Sequence, residues 1–332
     1  MKYILALLTI ISVILSTAKA QPLNEQNKLY VGDDAPPLKI EKWLKNGSSI
    51  ELFEKGKVYV IDLWATWCVP CLASMPHLSK LQEEYKTKGL EIIGITSEDP
   101  YGNTLQNIQN LLQKKDSLIG YTMALVPVSK NKDSLQGIFV HPWMQAAGTM
   151  NMPTAFIVDR NGKLAYIGDP YAMEKTLEDV INGHYDLTQL RNDYLERLEA
   201  EKVLDSFNTA LNNNDQQQAI ITANKIANDF KNVKPNTYLV LAANIVGIKG
   251  KIDDRLLDIA LIATQKGIIL TQFQSPGFFD LLASIYAAKG DFFNAANAEK
   301  IAISMSEGEM KENQQKNLNN YLKALNVNVS GQ

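Results

Sequence analysis

Two cysteines three residues apart, directly after a continuous apolar segment, constrain the fold of this chain more than any other feature of its sequence. The segment from Lys57 to Trp64 is typical of a strand buried on both faces of a sheet. Cys68 and Cys71 follow where a helix is predicted to begin, and Pro70 suits the first turn of that helix. Free amides and the helix dipole stabilise a thiolate at such a position. The spacing therefore predicts a nucleophilic Cys68, with Cys71 one turn later to resolve the mixed disulfide.

The same pair of cysteines is also compatible with half of a zinc site or with a purely structural disulfide. A zinc site needs two further ligands, but the chain has no other cysteine, and its three histidines form no pair with zinc-binding spacing: His77, His141 and His184. A disulfide that closes so short a loop constrains the unfolded chain little. We therefore expect redox chemistry at this pair and neither a metal nor another cofactor.

The sequence around the cysteines alternates between strand and helix patterns. Strands are predicted at Leu90–Ile95 and Tyr121–Val128, and a hairpin at Thr154–Ile167. Helices are predicted in four other segments: residues 68–88, 103–115, 141–147 and 172–181. Such alternation predicts an α/β fold with a central sheet covered by helices, largely parallel but mixed because the hairpin adds an antiparallel edge.

From about Leu187 to Leu325 the pattern is helical and contains no convincing strand. Asn, Gly and Pro breaks divide this part into roughly seven helices. The pair within Phe279–Ser304 resembles a tetratricopeptide-type hairpin, because small alanines would let the two helices pack closely; a generic helical bundle is the alternative. The sequence thus predicts an α/β domain at residues 21–183 and an all-α domain at residues 184–332.

Residues 1–20 have the pattern of a secretory signal peptide. Lys2 precedes an apolar stretch that ends at Leu15, and Ala18-Lys19-Ala20 has the small-residue form of a cleavage site. The stretch is shorter than a comfortable membrane span, and an uncleaved N-terminal anchor is the alternative. We expect the mature protein to begin near Gln21 and to be exported from the cytoplasm.

The charge of the chain argues against one class of partner. Its formal net charge is −3, and the sequence contains no basic run and no Gly-rich phosphate loop. Proteins that bind nucleic acid or anionic lipid carry a basic surface. We therefore expect no nucleic-acid partner.

Two motifs resemble the active-site segments of thioredoxin-like proteins. The first is Asp62–Cys71, with the sequence DLWATWCVPC, followed by Pro76; the second is Met152-Pro153-Thr154, directly before a predicted strand. The long spacing between them, with an added strand and helix, is similar to the TlpA/ResA branch of exported thiol–disulfide oxidoreductases. The resemblance covers about residues 29–183 and implies a thioredoxin-like fold with a strand–helix insertion.

The resemblance implies a catalytic role for three residues of the first motif. Cys68 attacks the substrate, Cys71 resolves the mixed disulfide, and Asp62 moves protons for Cys71. Burial in an apolar strand would raise the pKa of Asp62 and let it act as a general base; the alternative is a strand-end carboxylate in contact with water. Thioredoxins usually give this Asp a Lys partner from a neighbouring strand, and Leu90–Ile95 contains no Lys.

The second motif resembles the cis-proline loop that lies against the disulfide in this family. The resemblance implies a cis peptide bond before Pro153 and a Met152 backbone that is free to pair with a substrate strand, and it places Thr154 in the same substrate-binding loop. Trp67 and Met152 would form the apolar rim of the substrate site, with plain packing as the alternative for both.

These features predict a periplasmic thiol–disulfide oxidoreductase that exchanges disulfides with exported protein substrates. The resemblance implies that a membrane electron donor supplies it, and the uncharged Val69-Pro70 pair favours a reductant over a strong oxidant. The helical half would recruit a partner protein or associate with a second copy of the chain.

Two other functions are open from the sequence. A thiol peroxidase of the peroxiredoxin type shares the fold, but it needs a Thr and an Arg beside its reactive cysteine. Thr66 lies two residues from Cys68 instead of three, and the only Arg of the predicted α/β domain is Arg160, in a predicted turn. The other alternative is a helical interaction module whose redox site is inert, which the intact cysteine motif disfavours.

Overall fold

The computed structural model describes residues 28–47, 53–127, 143, 147 and 152–330. The first half of the chain forms a six-stranded sheet with the order β1-β4-β3-β2-β5-β6. Its strands, in chain order from β1 to β6, are Lys42–Lys45, Val58–Leu63, Leu90–Thr96, Thr122–Leu125, Thr154–Val158 and Leu164–Gly168.

The centre of this sheet is parallel and both edges are antiparallel. Strand β3 pairs in parallel with β2 on one side and with β4 on the other. Strand β1 pairs antiparallel with β4, and the β5–β6 hairpin pairs antiparallel with β2 through β5. The predicted mixed sheet is confirmed. Its antiparallel share is larger than the strand–helix alternation indicates, because β1 adds a second antiparallel edge.

Three helices of the first half belong to the core on one face of the sheet, namely α1 (Val69–Tyr85), α2 (Leu105–Lys114) and α3 (Glu174–Asn182). Side chains alternate between the two faces along a strand. In β2, Val60 therefore packs with Leu78 of α1, whereas Ile61 packs with Trp143 on the opposite face. The same alternation directs Asp62 toward α1. The predicted helix at 141–147 lies outside the described residues, apart from Trp143 and Ala147.

Helix α1 begins directly after Cys68, as predicted. A short 3₁₀ turn, Lys86–Lys88, follows it. The helical segment ends at Gly89, whose φ of 86° is a left-handed conformation that glycine adopts without steric cost. The chain then turns directly into β3, which pairs with β2 beside the cysteine motif.

The second half contains seven helices, as predicted. They pack mainly as sequential pairs around a separate hydrophobic core. Within the described part of the chain, no helix combines the length and apolarity needed to cross a bilayer. The helices α4 to α10 are Leu187–Asn212, Gln216–Asn228, Pro235–Val246, Asp254–Leu270, Pro276–Ala288, Phe292–Ser304 and Gly308–Ser330.

Helix α4 belongs to both cores. Near its start, Leu190 and Tyr194 pack against the sheet, and Arg191 donates hydrogen bonds to the Val31 carbonyl and the Asp33 carboxylate, both at 2.7 Å. Further along the same helix, Phe207 is buried in the helical core. The two halves therefore share one continuous element. The division after residue 183 stays a prediction, as does the tetratricopeptide-like character of the second half.

Candidate active site

Cys68 and Cys71 form a disulfide at the start of α1. Their sulfur atoms are bonded, and their Cα atoms lie 5.3 Å apart. Cys68 caps the helix, and its Sγ accepts a hydrogen bond from the Cys71 amide at 3.3 Å. After reduction, a sulfur in this position is stabilised as a thiolate by the free amides and the positive end of the helix dipole. Cys71 is fully buried, whereas Cys68 keeps 3% of its surface exposed and caps the helix, so of the two sulfurs Cys68 is better placed to attack.

Asp62 is completely buried in β2, on the face of the sheet that carries Cys71. Neither of its carboxylate oxygens makes a regular hydrogen bond within the described part of the chain. Burial raises the pKa of Asp62 from 3.8 to about 7, and interaction with the Tyr121 hydroxyl offsets part of that rise. The carboxyl group is therefore shielded from water and changes its protonation state near neutral pH, as a general base for a thiol requires.

The segment before Cys68 is held by the loop that follows β3. The indole Nε1 of Trp67 donates to the Asp99 carboxylate at 2.7 Å, and the ring remains 41% exposed. The Thr66 amide donates to the side-chain oxygen of Asn103 at 2.8 Å, and the Asn103 amide group donates to Thr96. Asn103 is itself fully buried. The two polar side chains therefore fix the backbone and the ring next to the disulfide.

Sequence reasoning missed Asp99 and Asn103. Both lie in the predicted loop and helix start after β3, where polar residues are ordinary. Their role depends on a contact across more than thirty residues of chain. No local pattern in the sequence encodes such a contact.

The second motif lies beside the first. The Met152–Pro153 peptide bond is cis. Thr154 begins β5 and stands in register with Leu63, the last residue of β2, so the cis-proline loop lies at the end of the sheet from which the chain leads to Cys68. Met152 is half-buried and packs against the cores on both faces. The structure thus brings together the two motifs on which the predicted substrate site depends.

Among the described residues, the histidines are not gathered into a metal site with the cysteines. His77 stacks on Tyr171 with ring centroids 5.9 Å apart, and its Nε2 lies 3.9 Å from the Glu174 carboxylate. His141 lies outside the described residues. Where the structure is described, no three side chains of His, Cys, Asp or Glu are grouped as a metal site would need.

The first half of the chain is similar to known redox proteins. The Redoxin family profile matches residues 30–181. Protein FixW of Rhizobium leguminosarum is 27% identical over 166 residues, which are 48% of this chain and 69% of that protein. The thiol-disulfide oxidoreductase ResA of Bacillus cereus is 29% identical over 142 residues, which are 42% of this chain and 70% of that protein.

A solved structure also aligns with part of this chain. It is a thiol-disulfide isomerase from Corynebacterium glutamicum, 18% identical, with a TM-score of 0.37 over 44% of this chain and 96% of that protein. The Redoxin match at residues 30–181 includes the cysteine pair and the cis-proline loop. This chain therefore carries a Redoxin domain with a TlpA/ResA-like thioredoxin fold and is a thiol–disulfide oxidoreductase.

Proposed function

We propose that this protein is an exported, periplasmic reductant that transfers electrons from a membrane donor to disulfides in exported proteins. The single observation that carries the proposal is the bonded pair at the start of α1, with Cys68 as the helix cap and Cys71 buried one turn later. Export rests on the signal-peptide pattern of residues 1–20, which lie outside the described residues.

The reaction has two exchange steps. In the reduced protein, the Cys68 thiolate attacks one sulfur of the substrate disulfide, forms a mixed disulfide, and releases the other sulfur as a thiolate that takes a proton from water. Asp62 then accepts the proton of the Cys71 thiol, and the Cys71 thiolate attacks Cys68. The second substrate sulfur leaves as a thiolate and takes a proton from water, so the substrate is released as a dithiol. The protein keeps the Cys68–Cys71 disulfide, and Asp62 returns its proton to water. A dithiol of the membrane donor reverses these exchanges and restores the reduced protein.

We assign substrate binding to the surface formed by Trp67 and the cis-proline loop. The half-exposed indole offers an apolar rim, and Met152, Pro153 and Thr154 lie at the same end of the sheet. The resemblance to thioredoxin-like proteins implies that the backbone of Met152 is free to pair with an extended substrate segment as an added strand. Specificity would come from side chains beside the substrate cysteine.

The charges around Cys68 support a reducing role. The first turn of α1 carries no acidic side chain, and its two residues between the cysteines, Val69 and Pro70, are uncharged. The nearest charged group bonded to this segment is the Asp99 carboxylate on Trp67. With no charged side chain at the two positions between the cysteines, the Cys68 thiolate gains little from this segment beyond the helix dipole, and a less stabilised thiolate corresponds to a more reducing couple.

The peroxidase alternative is not favoured by the position of Arg160. Its guanidinium donates to the backbone carbonyls of Gly56, Lys88 and Ile181. The first two precede β2 and β3, whereas Cys68 follows β2, so this Arg lies at the opposite end of the sheet from the disulfide. It cannot supply the charge that a peroxidatic cysteine needs at that disulfide.

We also propose that the helical half contacts a partner protein or a second copy of the chain. Three large apolar side chains within five residues support this: Ile269, Leu270 and Phe273 are each half-exposed or more. Phe273 also holds a left-handed φ of 61°, which is costly for an aromatic residue. Replacing Phe273 with Glu is expected to reduce self-association in light scattering or capture of a partner; unchanged behaviour in both would contradict this assignment.

The oxidoreductase proposal is tested by reduction of insulin with the full mature chain. The wild type should accelerate the reaction, and Cys68→Ser should abolish it. Cys71→Ser should stop turnover and trap a mixed disulfide with the substrate, because only resolution is lost. The matched control is Ser74→Ala, a change of equal size in the same helix, which should keep the activity. Full activity of Cys68→Ser would contradict the proposal.

The direction of electron flow is tested by the midpoint potential of the Cys68–Cys71 couple in glutathione and dithiothreitol buffers. A reductant should lie near the thioredoxin value of about −270 mV. A potential near that of the strong oxidant DsbA, about −120 mV, would contradict the reducing role and leave the exchange chemistry in place.

A further inference from the structure

Two buried polar groups, Asp62 and Tyr121, lie on the face of the sheet that carries Cys71. Tyr121 lies directly before β4 with 1% of its surface exposed, and its hydroxyl makes no regular hydrogen bond within the described part of the chain. Both carboxylate oxygens of Asp62 are also buried without a regular hydrogen bond in that part of the chain. The two groups are nevertheless close enough for the carboxylate to raise the pKa of the Tyr121 hydroxyl and for that hydroxyl to lower the pKa of Asp62. A buried polar group without a partner costs free energy, so each group is the partner that the other needs.

A glycine on the intervening strand makes this approach possible. Gly94 of β3 stands in register with Asp62 of β2. A Cβ atom on Gly94 would lie 3.1 Å from Cε2 of Tyr121 and 2.5 Å from Sδ of Met123, which is too close for either neighbour to stay in place. The absence of a side chain at Gly94 therefore leaves the space that the Tyr121 ring fills beside the carboxyl group.

No other ionisable group competes for Asp62 among the described residues. Its neighbour on the other adjoining strand is Ala155. From α1, the side chains in the same core are Cys71, Met75 and Leu78, of which only Cys71 ionises once reduced. Burial and Tyr121 are the two influences that set its protonation.

We propose that Tyr121 is a positioning residue that donates its hydroxyl hydrogen bond to the Asp62 carboxylate while Asp62 accepts the proton of Cys71. This inference rests on the proposed function and deepens it. The proton moves from the Cys71 sulfur to Asp62, and Tyr121 keeps its own proton because burial and the neighbouring carboxylate hold the pKa of its hydroxyl well above the ordinary value. The hydroxyl thus takes the place of the Lys that Leu90–Ile95 lacks, without adding a charge.

The direction of the effect follows from which form of Asp62 the hydroxyl stabilises. A donated hydrogen bond favours the carboxylate over the neutral acid. Tyr121→Phe removes that bond, so more of the Asp62 population is protonated at a given pH and the resolution step requires more alkaline conditions. A hydrogen bond to a charged group corresponds to a shift of about one to two pH units in the acid limb of the rate profile.

The test follows the rate at which Cys71 resolves a mixed disulfide preformed between Cys68 and 5-thio-2-nitrobenzoate. Release of the thionitrobenzoate anion is recorded against pH for the full mature chain. Tyr121→Phe should move the acid limb of the rate profile to higher pH, whereas the matched control Tyr166→Phe should leave it in place. Tyr166 is also buried in the core on this face, but its hydroxyl donates to the Asp169 carbonyl.

Asp62→Asn separates failure of this inference from failure of the proposed proton transfer. If Asp62→Asn removes the acid limb and Tyr121→Phe leaves it unmoved, Tyr121 has no positioning role and the proposed transfer to Asp62 stands. If Asp62→Asn leaves the limb intact, the transfer to Asp62 fails, and the role of Tyr121 fails with it. If Tyr121→Phe does not fold, 3-fluorotyrosine at position 121 replaces it. Its stronger donor should shift the limb downward, and an unmoved limb would overturn the inference.

Discussion

The buried carboxyl of Asp62 makes the stability of the first half depend on pH, and Asp62→Asn should remove this dependence. The pKa of this group is about 7 in the folded protein, against an ordinary value of 3.8. A carboxyl whose pKa rises on folding binds more protons in the native state. It therefore favours the folded state at low pH, and this contribution is lost as the pH rises through 3.8 toward 7.

The magnitude follows from that interval. At about 1.4 kcal/mol per pH unit, ionising Asp62 in the folded core costs about 4 kcal/mol above neutral pH. Asn has nearly the same size and does not ionise. Between pH 5 and pH 8, the free energy of unfolding of Asp62→Asn should therefore gain about 2.5 kcal/mol relative to that of the wild type.

The assay is urea unfolding of the oxidised full chain, followed by tryptophan fluorescence. All four tryptophans lie in the first half, at positions 43, 64, 67 and 143, so the signal reports on the sheet that holds Asp62. Other titrating groups are shared by both proteins and cancel in the difference. Asp116→Asn, an exposed carboxyl paired with Lys45, is the matched control and should show little change. If the free energy of unfolding changes with pH by the same amount in the wild type and in Asp62→Asn, the reasoning is refuted.

Two further changes probe the supports of the fold. Asn103→Ala should lower the free energy of unfolding by about 2 kcal/mol or more in the same assay and slow insulin reduction, because it leaves the Thr66 amide without its acceptor. Asn107→Ala, on the exposed side of α2, is the control. Equal effects of the two changes would contradict the assigned role. Phe207→Ala should lower the free energy of unfolding of the helical core by about 3–5 kcal/mol, as followed by far-ultraviolet circular dichroism, while insulin reduction persists. An unchanged unfolding midpoint would contradict the place of Phe207 in that core.

The elements that the sequence predicted well are those whose signal is local. The apolar run of β2, the cysteine pair with Pro70, and Gly89 at the end of the helical segment each encode their own conformation within a few residues. The seven helices of the second half were equally predictable, because Asn, Gly and Pro mark their ends. Hydrophobic periodicity and helix-terminal residues are sufficient to predict an element whose conformation depends only on nearby residues.

The features that were missed depend on distant parts of the chain. The antiparallel edge formed by β1 is set by its pairing with β4, about eighty residues later. Asn103, Asp99 and Tyr121 act on the cysteine motif only after β2, β3 and β4 have come together. The local sequence around these polar residues does not indicate such roles. The side chains that they contact are determined by the register of the sheet and not by neighbouring residues in the sequence.

The continuity of α4 sets how the two halves can cooperate mechanically. A helix of 26 residues spans about 39 Å, and its first turns pack against the sheet through Leu190 and Tyr194. If the helical half binds a client as proposed, this continuous helix would hold the client at a fixed distance from Cys68. The local concentration would then rise only for disulfides at that distance. Selection among substrates would thus depend on the distance between two points of a client as much as on the residues around its cysteines.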